Sequence, residues 1–500
     1  MRNISISIHH TTTTPDYLCF TAAESNSKVQ LKKNGSPTDV TIEYSIDLKN
    51  WYKLEFDTYY TLSSVWDSIY LRNASYEDTW FSTSTTDFYR FLLIWSLYAS
   101  WDINTLLNRN STTRVSAYCY YNLFAWNGEL MQAPTLSATI MAPYCYAHMF
   151  NSCTSLVTAP ALPAITLADY CYSNMFDGCT SLTNAPALPA TTLTNNCYSQ
   201  MFRWCTSLII APTISATTLA DYCCSNMFYW CTWLTTAPAL PATTLANYCY
   251  NQMFSWCTWL TTAPTLPATT LAPNCYSDMF DSCKSLTSTP TMSATTLASS
   301  CCLYMFNGCT WLTSATVPPA TTLANSCYSY MFRWCTSLTT APTLPATTLA
   351  NYCYSYMFNG CTSLTTAPTL PATTLADYCY NYMFNGCTSL TTAPTLPATT
   401  LAERCYYYMF RNCTNLTSIP ALPATTLTRS CYQWMFRNCS KIKISTTQTW
   451  DYQIAYRIPT SWTGTTATSA LSSMFTGTGW TFTGTPSINT TYYTSNTVVS

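Results

Sequence analysis

The hydrophobic residues of the chain recur in columns with a strict period of 26 residues. One copy of the repeat runs from Leu364 to Ser389, and Leu390 begins the next. A first column of cysteines extends from Cys119 to Cys431, which is twelve periods, so the copies follow one another without an insertion. Self-similarity at such a period is typical of stacked coils. The pattern therefore predicts a solenoid of about 12–13 coils over residues 117–442.

Two short elements are predicted within each copy. Apolar residues four positions apart indicate one face of a short helix; they are Leu375, Cys379, Met383 and Cys387. Thr374 and Asp377 fit a capping box at its start, and Gly386 supplies a residue with positive φ at its end. The β-branched stretch 389–393, ended by Pro394, predicts a short strand. The fold class that follows is α/β, with a short parallel strand and a short helix in each coil.

The order Phe-x-x-Cys-x-x-Leu, followed six residues later by Leu-Pro, resembles the BspA-like leucine-rich repeats. It is carried by Phe384, Cys387, Leu390 and Leu396-Pro397, and it recurs about a dozen times between Ala117 and Ile442. These copies are about three residues longer than is usual in that family. The resemblance implies a leucine-rich-repeat solenoid and a function in adhesion or ligand binding at a cell or particle surface.

The two ends of the chain lack the repeat. Residues 1–75 alternate apolar runs with polar turns, which predicts a small all-β, sandwich-like module. Its stretch 42–51 resembles a module found ahead of such repeats in proteins of gut bacteria and their phages. Residues 76–116 are predicted to be an N-terminal cap or linker, since an open solenoid needs its end covered. Residues 443–500 are predicted to form a degenerate last coil and a C-terminal cap. In that coil, 470–475 resembles the Cys-x-x-x-Met-Phe stretch of the repeat at an offset of 39 residues.

The cysteines are interpreted as packing residues. Of 28, 13 lie in the first column and 12 in a second column that runs from Cys153 to Cys439. A ladder of equally spaced thiols has no unique pairing, and a long solenoid has enough core without disulfides. Reduced thiols would also fit folding in the cytosol, while disulfides between adjacent coils stay open as an alternative. A C-x7-C spacing on a helix does not build a tetrahedral zinc site, so no metal and no cofactor are predicted.

Composition and charge exclude several classes of function. Charged residues are 8% of the chain and the net charge is -1, which gives no attraction to nucleic acid or anionic lipid. Residues 91–101, the most apolar stretch, are about half the length of a membrane span, and the N-terminus lacks the apolar core of a signal peptide. We therefore expect no membrane insertion.

Catalytic chemistry is not predicted. His9, His10 and His148 are the only histidines, and no pattern places one beside a nucleophile. The carboxylates of the array do not form the close pair that a glycosidase needs; they are Glu129, Asp169, Asp177, Asp221, Asp278, Asp281, Asp377 and Glu403. We interpret the column that contains Asp377 as helix caps, and the pair Asp278 and Asp281 as a solvated helix end.

Tryptophans replace the consensus residue at two positions of the repeat. Trp204, Trp230, Trp256 and Trp334 stand where glycine is commonest, and Trp233, Trp259 and Trp311 replace a serine. The first three fall in successive copies, so we expect an aromatic strip about 10 Å long. All seven are candidate ligand-binding residues, because aromatic platforms suit sugar rings or protein hot spots. A self-stacking ladder that only stabilises the array is the alternative. The tyrosines beside the first cysteines, such as Tyr172, are interpreted as architecture.

These observations imply a display surface without enzymatic activity. The leading hypothesis is a phage virion or tail-fibre protein that contacts host glycan or protein, with residues 1–75 joining other virion proteins. A BspA-like adhesin on the bacterial surface and an intracellular scaffold are the alternatives. The expected location is the virion surface or, in the second case, the outside of the cell. The strands of the C-terminal tail leave homo-oligomerisation open.

Overall fold

The computed structural model describes residues 17–79, 81–110, 112–460, 463–479 and 481–500. His9 and His10 lie outside the described residues. Within the described part of the chain, no helix is long and apolar enough to cross a membrane.

The strands of the N-terminal end form two sheets that share one core. They are β1 (Leu18–Ala22), β2 (Ser27–Asn34), β3 (Ile42–Ser45), β4 (Tyr52–Lys53), β5 (Tyr60–Leu62), β6 (Ser68–Asn73), β7 (Phe88–Ile94) and β8 (Leu97–Ser100). One sheet has the order β4-β3-β6-β1-β8 and the other β5-β2-β7, all antiparallel. Phe20 of β1 meets Phe91 of β7 with ring centroids 4.8 Å apart. Since β7 and β8 belong to these sheets, the strand pairing extends past the predicted boundary at residue 75.

The same two strands cover the first coil. The backbone N–H of Phe91 donates to the carbonyl of Leu123 at 2.7 Å, and that of Leu97 donates to Glu129 at 3.0 Å. β8 also pairs in parallel with β9 (Leu130–Gln132), which belongs to the first coil. The backbone groups at the open end of the array are therefore paired with the N-terminal sheets.

Successive copies stack as coils through a stretch that we call the turn ribbon, residues 376–387 and their equivalents. Alternate N–H groups donate to the next coil, 25 residues on, at 2.8–3.0 Å; they belong to Tyr378, Tyr380, Tyr382, Phe384 and Gly386. The residues between them donate to the carbonyl three residues earlier, as Met383 does to Tyr380 at 3.2 Å. Every fourth residue has a left-handed backbone, with φ of 57° at Tyr378, 54° at Tyr382 and 75° at Gly386. The ribbon thus pairs its backbone groups through linked turns.

The predicted helix is wrong. Among the described residues the only helical element is a 3-10 turn at Ile103–Leu106. The four-residue spacing of Cys379, Met383 and Cys387 comes from the four-residue backbone unit of the ribbon. Helices pack about 8–10 Å apart, whereas the stacked outer rings of successive ribbons lie 4.3–4.8 Å apart. Coils bonded at that spacing leave no room for a helix, so the fold is a strand-rich, almost helix-free repeat and not α/β.

The predicted strand is reduced to single parallel bridges. Thr366 bridges Thr392 at the predicted place, and Thr374 bridges Thr400 at a second one. Pro394 has no N–H to donate, so a longer ladder cannot form there. A regular strand develops only where a terminal segment pairs with the array, as in β9 and in β10 (Ser418–Pro420).

The core of the array is a set of stacked columns. One phenylalanine from each coil forms a continuous ladder from Phe124 to Phe475, with ring centroids 5.3–5.8 Å apart. The tyrosines beside the first cysteines, including Tyr172 and Tyr354, are buried next to it. Their burial agrees with the interpretation of this column as architecture.

Residues 443–500 close the other end. They contain β11 (Ile444–Ser445), β12 (Ile454–Arg457), β13 (Thr491–Thr494) and β14 (Thr497–Val499). β13 lies between β11 and β12, and β14 pairs in parallel with β10. Between β12 and β13 comes one more ribbon, in which Ser469, Ser473 and Gly477 have positive φ and Phe475 stacks on Phe436 at 5.6 Å.

Candidate ligand-binding surface

The left-handed residues of the ribbons form three columns of side chains on one outer face. We call them the first, second and third left-handed columns, after Tyr378, Tyr382 and Gly386. A left-handed residue is costly unless it is glycine or asparagine, yet aromatic residues occupy many of these positions. Stacking on the equivalent residue of the next coil offsets that cost, and Tyr352 and Tyr378 of the first column do so at 4.6 Å.

Trp204, Trp230 and Trp256 occupy the third column and stack on one another. Their ring centroids are 4.8 Å apart at each step, with interplanar angles of 11° and 13°. The expected strip is therefore present as a geometric feature. However, stacking covers the indole faces between neighbours, so the strip presents mainly ring edges to solvent. Its role in ligand binding stays a prediction.

Trp334, the fourth tryptophan of that column, is held between two other groups. A Cβ at Gly360 would lie 2.3 Å from the indole Cδ1 of Trp334, so only glycine in the next coil accommodates this ring. The guanidinium carbon of Arg333 lies 3.7 Å from the ring centroid. The structure thus places Trp334 apart from the strip, between Gly360 and Arg333, and leaves it 48% exposed.

Trp233, Trp259 and Trp311 differ from the strip in having free faces. Their exposed fractions are 61%, 61% and 62%. No ring contact joins any of them to another aromatic side chain in the described residues. Trp233 and Trp259 lie in successive coils, close to the strip. These three indoles are therefore able to accept a flat apolar ligand face.

The second left-handed column changes character along the array, which the sequence analysis missed. Its first part is polar: Asn122, His148, Asn174, Gln200, Asn226, Gln252 and Asp278. Its second part, which we call the tyrosine ladder, consists of Tyr304, Tyr330, Tyr356, Tyr382, Tyr408 and Trp434, stacked at 4.3–4.6 Å. The sequence shows this ladder as an aromatic residue that recurs every 26 positions. The predicted helix did not place these side chains on an outer face.

A cavity of about 330 Å³ lies between the polar part of the second column and the first column. Tyr144 and Tyr170 line one side, and His148, Asn174 and Gln200 line the other. The Asn174 amide donates to the Gln200 side-chain oxygen at 2.7 Å. Burial lowers the pKa of His148, so its imidazole is neutral near pH 7. Neutral hydrogen-bonding groups at such a site suit a small polar ligand.

The carboxylates at the start of the ribbons accept hydrogen bonds from neighbouring coils. The Asp377 side chain accepts the backbone N–H of Glu403 in the next coil at 2.9 Å, and Asp169 and Asp221 do the same for Asn195 and Asn247. The capping-box prediction for this column is therefore wrong, because the acceptor serves the next coil and not its own. Asn351 accepts from Asp377 in the same way.

Asp278 and Asp281 are not a solvated helix end. Both lie in a ribbon and are partly buried, and burial raises the pKa of each carboxyl, that of Asp278 to about 6. Asp281 accepts the Asn307 amide at 2.7 Å. Asp177, four coils away, is paired with Arg203 through bonds of 3.0 and 2.6 Å. Each of these carboxylates has protein partners, which accounts for it structurally.

The second-column cysteines are hydrogen-bond donors. Each S–H donates to the phenylalanine carbonyl 29 residues earlier, at 2.9–3.2 Å, as Cys387 does to Phe358. All 28 cysteines are buried free thiols. Burial raises the pKa of Cys145 and of Cys153 to about 12, so these thiols are protonated at neutral pH. No group of three His, Cys, Asp or Glu side chains in the described residues is arranged to hold a metal ion.

The comparison with known proteins concerns the repeat. A family model described as a BspA type leucine rich repeat region matches residues 251–395 and 325–454, in six copies. The matched repeats are of the BspA leucine-rich type. The match covers less than half of the chain, and the 26-residue register of the repeats continues upstream to Cys119. No curated protein and no solved structure matches the chain.

Proposed function

We propose that the chain is a non-enzymatic, adhesin-type protein that binds glycan through the exposed tryptophans of its BspA-type repeats. The observation that carries the proposal is the set of free indole faces at Trp233, Trp259 and Trp311, each more than 60% exposed. An apolar sugar face docks on such a ring, and surrounding threonines and serines supply hydrogen bonds. Trp204, Trp230, Trp256 and Trp334 contribute ring edges beside it. A protein hot spot is the alternative ligand.

The location proposed is a surface. Proteins with BspA-type repeats are usually found at the cell surface or outside the cell, and the family is typically non-enzymatic. More specifically, we propose that this chain is a tail-fibre-type protein on a phage virion and that residues 1–75 contact other virion proteins. The S–H donors of the second cysteine column support assembly of the chain in the cytosol, as for a virion protein. They require reduced thiols during folding, which the cytosol provides and an oxidising compartment does not.

Glycan-array binding by the full chain tests the ligand proposal. We expect binding that falls about tenfold or more in a Trp233/Trp259/Trp311→Ser variant, since three stacking contacts are lost. Serine is the matched replacement because Ser285, Ser337 and other coils carry it at this position. A Trp204/Trp230/Trp256→Gly variant, matched to Gly386, should lose much less. Unchanged binding in the serine variant would refute the site, and a loss confined to the glycine variant would move it to the strip.

The location is tested separately. If the chain is a virion protein, mass spectrometry of purified phage particles will detect it, and antibody to residues 1–75 will label particles by electron microscopy. Detection only on the bacterial surface would replace the virion proposal with the adhesin alternative. Detection only inside cells would support the intracellular scaffold.

A further inference from the structure

Charge is separated along the array, although the whole chain is close to neutral. Residues 301–443 contain seven Lys and Arg against two Asp and Glu, whereas residues 117–300 contain two against six. The basic half is also the half that carries the tyrosine ladder. Its positive field is local, because charges beyond roughly 10 Å are screened at physiological salt.

Three arginines beside the tyrosine ladder have no anionic partner. Arg333, Arg411 and Arg437 occupy the position just before the third left-handed column, and none of them forms an ion pair within the described residues. The Nε of each is buried without a hydrogen-bond acceptor. Arg203 stands at the same position of an earlier coil and is fully engaged by Asp177. An arginine at this position of the repeat is therefore paired in the acidic half, where a carboxylate is near, and unpaired in the basic half.

The guanidiniums lie against the ladder. The Cζ of Arg333 is 5.6 Å from the ring centroid of Tyr330, that of Arg411 is 5.1 Å from Tyr408, and that of Arg437 is 6.0 Å from Trp434. Cation–π contact positions each planar group without satisfying its N–H donors. Forked donors therefore stand beside the ladder in three of the five coils from Arg333 to Arg437, with asparagine in the two between.

We infer that this surface binds an acidic polysaccharide. A guanidinium pairs with a carboxylate through two parallel hydrogen bonds, which suits a uronic acid. Phenol hydroxyls both donate and accept, as sugar hydroxyls require. Burial raises the pKa of Tyr304 and of Tyr356 to about 12, so these hydroxyls stay neutral. The ladder repeats at 4.3–4.6 Å over six coils, which favours an extended polymer over a single anion.

A single-stranded nucleic acid is the competing polyanion, and the ring geometry disfavours it. Bases bind proteins by stacking on free aromatic faces. In the tyrosine ladder the four rings between Tyr304 and Trp434 are stacked on both faces, with interplanar angles between 8° and 26°. Ring edges face outward instead: Tyr408 is buried and the other five rings are half-buried. The hydroxyls on such edges match sugars. The inference goes beyond the proposed function: Trp233 and Trp259 lie in the acidic half of the array, and Trp311, in the basic half, belongs to a different column from the ladder and its arginines.

Binding of the full chain to polygalacturonate, measured by calorimetry over a salt series, tests the inference. We expect binding that weakens as salt increases and no comparable binding to neutral dextran. The Arg333/Arg411/Arg437→Asn variant should bind about tenfold or more weakly. Asparagine is the matched replacement, since Asn307, Asn359 and Asn385 stand at this position. An Asp177→Asn/Arg203→Asn variant removes an arginine from the same column in the other half and should bind like the wild type.

Several results would overturn the inference. These are a wild-type chain that does not prefer polygalacturonate to dextran, an asparagine variant that binds as tightly as the wild type, and tighter binding of oligothymidylate than of polygalacturonate. If the asparagine variant does not fold, the Arg→Lys triple variant decides, because it keeps the charge and loses the planar fork. It should bind several-fold more weakly, and equal binding would overturn the guanidinium role. The Trp233/Trp259/Trp311→Ser variant tests the proposed function separately. If it loses binding to neutral glycan, its binding to polygalacturonate should still equal that of the wild type.

Discussion

A second-column cysteine does more than fill space. Cys257 donates its S–H to the Phe228 carbonyl at 3.1 Å, while the backbone N–H of Cys231 donates to the same carbonyl at 3.0 Å. The carbonyl therefore has one donor from its own coil and one from the next. This bond links the cysteine column to the phenylalanine ladder and explains why a thiol recurs where alanine or valine would also be apolar enough.

Replacing Cys257 separates hydrogen bonding from packing. We expect Cys257→Ala to lower the free energy of unfolding by about 1–2 kcal/mol, from the lost bond and the small cavity. Cys257→Ser should cost less than Cys257→Ala, because the hydroxyl keeps a donor for the Phe228 carbonyl. Urea unfolding followed by tryptophan fluorescence compares the two. A serine variant clearly less stable than the alanine variant would show that the column is only hydrophobic packing.

At the scale of the element, the turn ribbon is defined by the partners of its backbone groups. A helix and this ribbon share an apolar spacing of about four residues, so the side-chain pattern of one copy does not distinguish them. The distinguishing feature is that half of the N–H groups bind the next coil. The side chains at the start of the ribbon follow the same rule, as the contact from Asp377 to Glu403 shows.

Two neighbouring substitutions test the ribbon against the helix. Asp377→Ala should lower the free energy of unfolding by about 0.5–1 kcal/mol, because the Glu403 N–H loses its acceptor. Asp377→Asn should be nearly neutral, since Asn351 makes the same contact one coil earlier. Thr374→Ala should also be nearly neutral, because the exposed Thr374 side chain caps nothing in the structure. Equal losses in Thr374→Ala and Asp377→Ala, together with a helical circular dichroism spectrum, would restore the capping box.

At the scale of the whole molecule, many buried thiols respond together to pH. Burial raises the pKa of Cys361 and of Cys439 from 9.0 to about 12, and most of the other column cysteines shift in the same direction. A raised pKa means that the folded chain holds these protons more tightly than the unfolded chain. The stability that they contribute is therefore complete below pH 9.0 and is lost as the pH rises toward 12.

The expected result is an unfolding midpoint in urea that is insensitive to the thiols up to about pH 8.5 and falls steeply above pH 9. Burial raises the pKa of Cys431 only to about 11, because hydrogen bonds from Thr428 oppose the shift, so Cys431 should contribute least among these three. Ellman's reagent provides an independent check, since the native chain should react slowly at pH 8 and the unfolded chain should react with all its thiols. A midpoint that stays constant to pH 11 would contradict the burial of the thiols in solution.

The sequence by itself determined the repeat, its register and its buried columns. Period 26 is visible without coordinates. The two cysteine columns, the phenylalanine column and the tyrosines beside the first cysteines are buried in every coil that carries them, so the core did not depend on the local conformation. The exposed tryptophans were likewise visible as departures from the consensus. These features follow from side-chain type and spacing alone, which is why the pattern was sufficient.

Only the tertiary structure decided the backbone between those columns and the surface that it presents. Whether Tyr382 is helical or left-handed depends on its bond to Tyr407 in the next coil, a contact with no signature inside one copy. That choice stacks the tyrosine ladder on the outside and covers its ring faces. It also leaves Arg411 unpaired although Arg203, at the same position, is paired. Neighbouring coils supply these partners, and their effects appear only when the coils are stacked.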